Sequence, residues 1–107
     1  MTNLRVRAFK LEYVPPTDNA FGTEGTFVRA GSFMCAYRAT LAHENVRAGR
    51  DAQKRIVRMW FDRRRVALAN ADRVEIKGEQ YDVIYVPDHS YHSGIVYVDI
   101  EAMEVAK

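Results

Sequence analysis

Residues 32–41 alternate strictly. Phe33, Cys35, Tyr37, Ala39 and Leu41 share one parity, and Met34, Ala36, Arg38 and Thr40 share the other. Successive side chains of a strand point to opposite faces, so this period marks a half-buried β-strand. A second run, 53–62, is rich in β-branched, aromatic and long side chains. Between the two lies a polar segment, 42–52, that contains Gly49. A two-residue hairpin would need a pair such as Asn-Gly at that place. The spacing therefore predicts two long strands that project a polar, basic loop beyond the body of the domain. Whatever the rest of the chain does, it must supply a sheet around those strands.

It has the pieces. In 4–14, Leu4, Val6 and Ala8 lie on one side and Phe9, Leu11 and Tyr13 on the other. A slip of one residue predicts a β-bulge or bend near Ala8 and Phe9. Pro15 and Pro16 stop that strand. Asp18, Asn19, Gly22 and Gly25 make 17–25 a loop. A short apolar run follows at 26–30, and Gly31 is expected to break it from the strand at Ser32. Segment 46–54 holds good helix formers, so it reads as one or two helical turns or as loop. Strand 53–65 carries Val57, Met59 and Phe61 on one face. Ile56 and Trp60 lie on the other with Lys54 and Arg58.

Residues 66–71 read as a connection with Leu68 as a core plug. Val74 and Ile76 point inward in 73–77, Gly78 and Glu79 supply a turn, and 80–86 return as the second arm of a hairpin. A polar loop at 87–94 precedes a last strand, 95–103, with Val96, Val98 and Ile100 on one face. Strands at short spacing with little helix predict a small antiparallel barrel or sandwich.

The 107 residues suffice for one domain, 1–107. No run of 18 apolar residues exists to span a membrane, and the first residues lack the apolar stretch of a signal peptide. One cysteine, Cys35, makes no internal disulfide, which fits synthesis in a reducing compartment.

Net charge is only +2, but it is unevenly spread. Residues 1–65 hold 13 Lys and Arg against 6 Asp and Glu; residues 66–107 hold 3 against 8. The parts thus carry +7 and −5. Within 47–65 there are eight basic and two acidic residues. Such asymmetry suits a polyanion, an acidic partner surface, or charge pairing between copies.

Reaction chemistry finds little support. His89 and His92, with Asp88 beside them, lack a second ligand pair, and His43 stands apart. Cys35 has the parity of Phe33 and Tyr37, so it reads as a small buried hydrophobe. No phosphate loop or paired-carboxylate motif occurs, and Glu44 and Asp51 have no acid–base partner. No catalytic, cofactor-binding or metal-ligating residue is expected, and no cofactor. Arg58, Trp60 and Phe61 interleave charge with aromatic rings, as in single-strand-binding barrels, but strand aromatics also fill small cores and subunit interfaces.

In order, the pieces resemble the head–tail joining proteins of tailed bacteriophages, also called head-closure or head–tail adaptor proteins. Leu4-Arg5-Val6-Arg7-Ala8-Phe9 resembles the family's opening strand. Asp18-Asn19-Ala20-Phe21-Gly22-Thr23-Glu24 is similar to its glycine-containing loop before a short aromatic strand, here Thr26-Phe27-Val28. Met34-Cys35-Ala36-Tyr37-Arg38-Ala39 stands at its Trp-Ala-x-Val strand, with Cys35 where the family has Trp. His43-Glu44 resembles the element that opens its central loop. The hairpin from Asp72 through Arg73, Val74, Gly78 and Tyr81 to Val83 is the nearest match. Trp60-Phe61 takes the place of an Arg-aromatic pair, with arginines displaced to Arg58 and Arg63.

The resemblance implies a mainly β fold: a small antiparallel barrel of six to seven strands with a long central loop, which has room for one short helix. It implies a structural virion protein without enzymatic activity. The chain would form a ring of twelve or six copies in the neck, between the portal or adaptor complex and a tail-terminator or tail-tube protein. It would close the head, attach the tail, and meet packaged double-stranded DNA without reading its sequence. It would be made in the bacterial host cytoplasm and use no membrane. The expected ring- or DNA-facing loop contains Glu44, Arg47, Arg50, Lys54 and Arg55; the expected inter-ring loop contains Asn19, Phe21, Gly22 and Glu24. A tail-terminator-type ring and a small non-specific nucleic-acid-binding barrel are the alternatives.

Overall fold

The computed structural model describes residues 3–15, 25–40, 47, 49, 55–89 and 94–103. Six strands form: β1 (Val6–Val14), β2 (Thr26–Ala39), β3 (Ile56–Asp62), β4 (Arg73–Ile76), β5 (Glu79–Tyr85) and β6 (Ile95–Ala102). They close into a barrel in the order β1-β2-β3-β6-β5-β4, and every neighbouring pair is antiparallel. The expected mainly β barrel is the fold of this chain.

Alternation explains the core. Phe33 and Cys35 of β2, Met59 and Phe61 of β3, Val74 and Ile76 of β4, Tyr81 and Val83 of β5, and Val96, Val98 and Ile100 of β6 all point inward. Leu68 plugs the core from the connection after β3, as its sequence suggests. Cys35 is fully buried, and burial pushes its thiol up to about 11. Turn chemistry fixes the β4–β5 hairpin. Lys77 and Gly78 have φ of 50° and 84°, the paired positive angles of a type I′ turn, so the turn lies one residue earlier than the sequence suggests.

Two expectations are corrected in β1 and β2. Gly31 does not break the chain: β2 runs unbroken from Thr26 to Ala39, and Gly31 pairs with Lys10. The bulge lies between Lys10 and Leu11, not at Ala8 and Phe9. Ala30 is the extra residue, because Lys10 faces Gly31 while Leu11 faces Arg29. A glycine beside a bulge lets the strand bend without leaving the ladder. The phase slip seen in the sequence is real, since Ala8 and Leu11 are both buried, but the irregularity sits on the partner strand.

Candidate interaction surfaces

Strand direction decides which segments share an end. β1, β3 and β5 begin where β2, β4 and β6 finish. The near end therefore gathers the start of β1, the 40–55 connection, the 77–78 turn and the exit from β6. The far end gathers the connections 15–25, 63–72 and 86–94. The two loops singled out in the sequence leave opposite ends of the barrel.

At the near end, Thr40 extends the β2–β3 ladder by donating its N–H to Ile56 O at 2.9 Å. Arg47 is exposed. Arg55 is exposed too, with Nη2 3.3 Å from Glu79 Oε2, which also accepts the Tyr81 hydroxyl at 2.9 Å. Burial and that hydrogen bond push Tyr81 up to about 12. Glu44, Arg50 and Lys54 lie outside the described residues, as do Asn19, Phe21, Gly22 and Glu24 of the other loop and the short helix considered within 46–54, apart from Arg47 and Gly49.

The basic run 47–65 is not one patch. β3, seven residues long, separates Arg55 from Arg63, Arg64 and Arg65 by about 25 Å at strand rise. The three arginines form a far-end turn. Arg64 clamps Asp62 through its backbone N–H, Nε and Nη2. Those hydrogen bonds hold the Asp62 carboxyl down at about 2. Arg63 donates to the carbonyl of His89. His89 Nε2 donates to Tyr97 O at 3.0 Å, so this histidine is engaged as a strut. His43 and His92 lie outside the described residues. Among those described, no group of three or more His, Cys, Asp or Glu side chains could hold a metal.

The outer wall over β2, β3 and β6 carries a row in register: Arg38, Arg58 and Asp99, with Ala36, Trp60 and Tyr97 beside it. Arg58 stacks 4.4 Å above the Tyr97 ring, and Trp60 lies 6.4 Å from that ring. These aromatics are half-buried in the wall and braced by it.

A ribbon completes the far end. β4 pairs with β1 only from Ala8 to Leu11, and β3 pairs with β2 only from Cys35 to Ala39. Glu12, Tyr13 and Val14 with Thr26, Phe27 and Val28 thus form a two-stranded extension. Tyr13 packs on Phe27 at 5.4 Å, and the Arg73 guanidinium lies 3.7 Å over the Phe27 ring. Arg29 lies 4.1 Å over Phe9 and pairs with Glu75 of β4. Sequence reasoning missed the ribbon, because nothing local says where a neighbouring strand stops.

Together these features define a small closed β-barrel that presents two charged ends and an outward ribbon. A model of the phage head completion protein family matches residues 3–105, and the chain belongs to that family. The family expected from the sequence motifs is thus the one found. It is a family of structural phage proteins, which makes the chain a component of the virion that works with other head or tail proteins. Its structure is similar to the solution structure of protein SF1141 from Shigella flexneri 2a, with a TM-score of 0.69, 16% identity and 92% of each chain covered. At that identity the likeness concerns the fold. No curated protein matches the chain. Among the described residues no helix is long and apolar enough to cross a membrane.

Proposed function

We propose that this chain, read as one head–tail joining domain over 1–107, forms a ring in the virion neck. The ring closes the DNA-filled head beneath the portal or adaptor complex and offers the seat for the tail. What supports this is the opposite placement of the two long connections. A connector must touch different neighbours along the particle axis, and a closed barrel with a loop at each end does so with one rigid body. Among the described residues, the strand edges left open to compete for those contacts lie on the ribbon and along residues 29–34 of β2, which β3 does not cover.

In this reading the 40–55 connection, with Glu44, Arg47, Arg50, Lys54 and Arg55, meets either phosphates in the channel or acidic groups on the adjoining ring. The 15–25 connection, with Asn19, Phe21, Gly22 and Glu24, docks on the ring at the other end. Synthesis takes place in the host cytoplasm before assembly, and the protein performs no reaction.

The test is Arg47→Glu with Arg50→Glu in the phage that encodes the chain. Particle yield or DNA retention should fall while the purified variant keeps its melting temperature. Normal yields of full, tailed particles would remove the loop from the proposed contact. Tight, steeply salt-dependent binding of naked duplex DNA by the isolated chain would instead favour a free-standing nucleic-acid-binding barrel.

A further inference from the structure

Strand order turns the sequence asymmetry into a spatial one. β1, β2 and β3 are contiguous around the barrel, and so are β6, β5 and β4. Strands β1 to β3 contain five basic residues and two acidic ones, whereas β4 to β6 contain one basic and five acidic. One half of the wall is therefore +3 and the other −4. Ion pairs stitch both seams, Arg29–Glu75 between β2 and β4 across the edge of β1, and Arg58–Asp99 between β3 and β6. The halves remain of opposite sign.

The exposed large hydrophobics follow the same division. Among the described residues they are Tyr13, Val14, Val28 and Met34 on β1 and β2, and Tyr85 and Ile95 on β5 and β6. In a closed order of six, β1 stands three places from β6, and β2 three places from β5. The two apolar groups thus occupy opposite walls. They also share a level, since Tyr85 ends β5 and Ile95 begins β6 at the far end, where the ribbon lies.

We infer that the ribbon wall of one copy docks on the β5–β6 wall of the next copy. This rests on the ring proposed above and names its contact. Two different patches that meet make a heterologous interface, and such contacts close into rings when the rotation permits. Opposite charge on the two walls steers them together and disfavours like walls meeting. Apolar side chains of Val28 and Ile95 then lose water at the centre of the contact. Both barrel ends stay clear for the neighbours above and below, which an end-to-end contact would block.

The test places one cysteine on each wall, Val28→Cys and Ile95→Cys, in assembled particles treated with a short bismaleimide. Both positions are exposed, so folding should tolerate the change, and the parent chain with its buried Cys35 serves as control. The double variant should give a covalent ladder of dimers, trimers and larger species. Each single variant alone should stay monomeric, and particles built from both singles should give dimers and no ladder. Dimers from one single variant alone would show like walls meeting and overturn the inference. So would the absence of a ladder in particles that contain several copies and retain DNA. Particles that contain a single copy would instead overturn the ring itself.

Discussion

Arg58 of β3 reaches across to Asp99 of β6, with Nε 2.9 Å from Oδ1 and Nη2 3.4 Å from Oδ2, and Asp99 is 1% exposed. A carboxylate this deeply buried is tolerable only when paired and hydrogen-bonded. The pair is registered across the β3–β6 ladder, where Arg58 faces Asp99 directly, and the Tyr97 ring lies against the guanidinium. It therefore locks the seam between the basic and acidic halves of the barrel.

Removing the cation should be costly. Arg58→Met keeps much of the stem but leaves Asp99 buried opposite a thioether. Breaking a buried pair from one side costs about 3 kcal/mol or more, because the remaining charge loses that partner where water cannot replace it. Urea unfolding of the purified chain should show a loss of that size. A loss under about 1 kcal/mol would mean that the pair behaves like a surface ion pair. Arg58→Met with Asp99→Leu should recover much of the loss, since neither charge of this pair is then left behind.

How much of this could be read from the chain depends on the range of the interactions. The β4–β5 hairpin is legible because Val74, Ile76, Gly78 and Tyr81 carry both the period and the turn within a few residues. Cys35 is legible from its parity, and Leu68 as the largest apolar side chain of a short alanine-rich connection. Gly31 misled because a glycine signals a break and a bulge equally, and only the pairing with Lys10 on β1 decides. Asp99 was invisible as a buried charge. It occupies an outward parity, and its partner lies 41 residues away. The unequal charge of the two halves of the sequence was plain, but not that β3 pairs with β6 and so keeps those halves contiguous. Likewise Arg55 and Arg63 look like one cluster in sequence, though a strand holds them at opposite ends. For the candidate loops, sequence supplied the residues and topology supplied only the ends they leave from.

The hairpin turn offers a sharper local test. Lys77 holds φ of 50°, which costs an ordinary L residue about 1 kcal/mol and asparagine much less. Lys77→Asn creates the favoured Asn-Gly pair and should raise stability by about 0.5 kcal/mol. Gly78→Ala meets no neighbouring atom, yet φ of 84° should make it destabilising by about 1 kcal/mol. Thermal melts of the two variants should therefore move in opposite directions. Shifts of the same sign would mean that the turn is not type I′ in solution.

Alkaline pH should weaken the fold for a definable reason. Cys35 rises from an ordinary 9.0 to about 11 through burial, and Tyr81 rises from 10.0 to about 12 through burial and its bond to Glu79. The folded protein keeps these protons after the unfolded chain has lost them. The stability they contribute is complete below about pH 9 and is lost as pH rises through the folded values. Melting temperature should fall from about pH 9 upward, first through Cys35 and then through Tyr81. Cys35→Ala should flatten the first part of that decline and leave the second. A wild-type melting temperature that stays level from about pH 9 to 11 would contradict the burial of both groups.

Gly25 should separate the ribbon from the barrel. A β-carbon there would overlap the end of the Tyr13 ring and the carbonyl oxygen of Val14. The ring can swing aside, but the backbone oxygen cannot, so Gly25→Ala must spread the two chains at the ribbon's outer end. The ribbon lies past the β1–β4 and β2–β3 ladders, so the core around Phe33, Met59 and Phe61 should hardly notice. Amide exchange should quicken at Glu12, Tyr13, Val14, Phe27 and Val28, while β3 and β6 amides stay protected. Global unfolding should change by less than about 1 kcal/mol, as expected for a change outside the packed barrel. If β3 and β6 lost protection together with the ribbon, the two would be one cooperative unit. Ribbon contacts could then not be altered in assembly tests without unfolding the barrel.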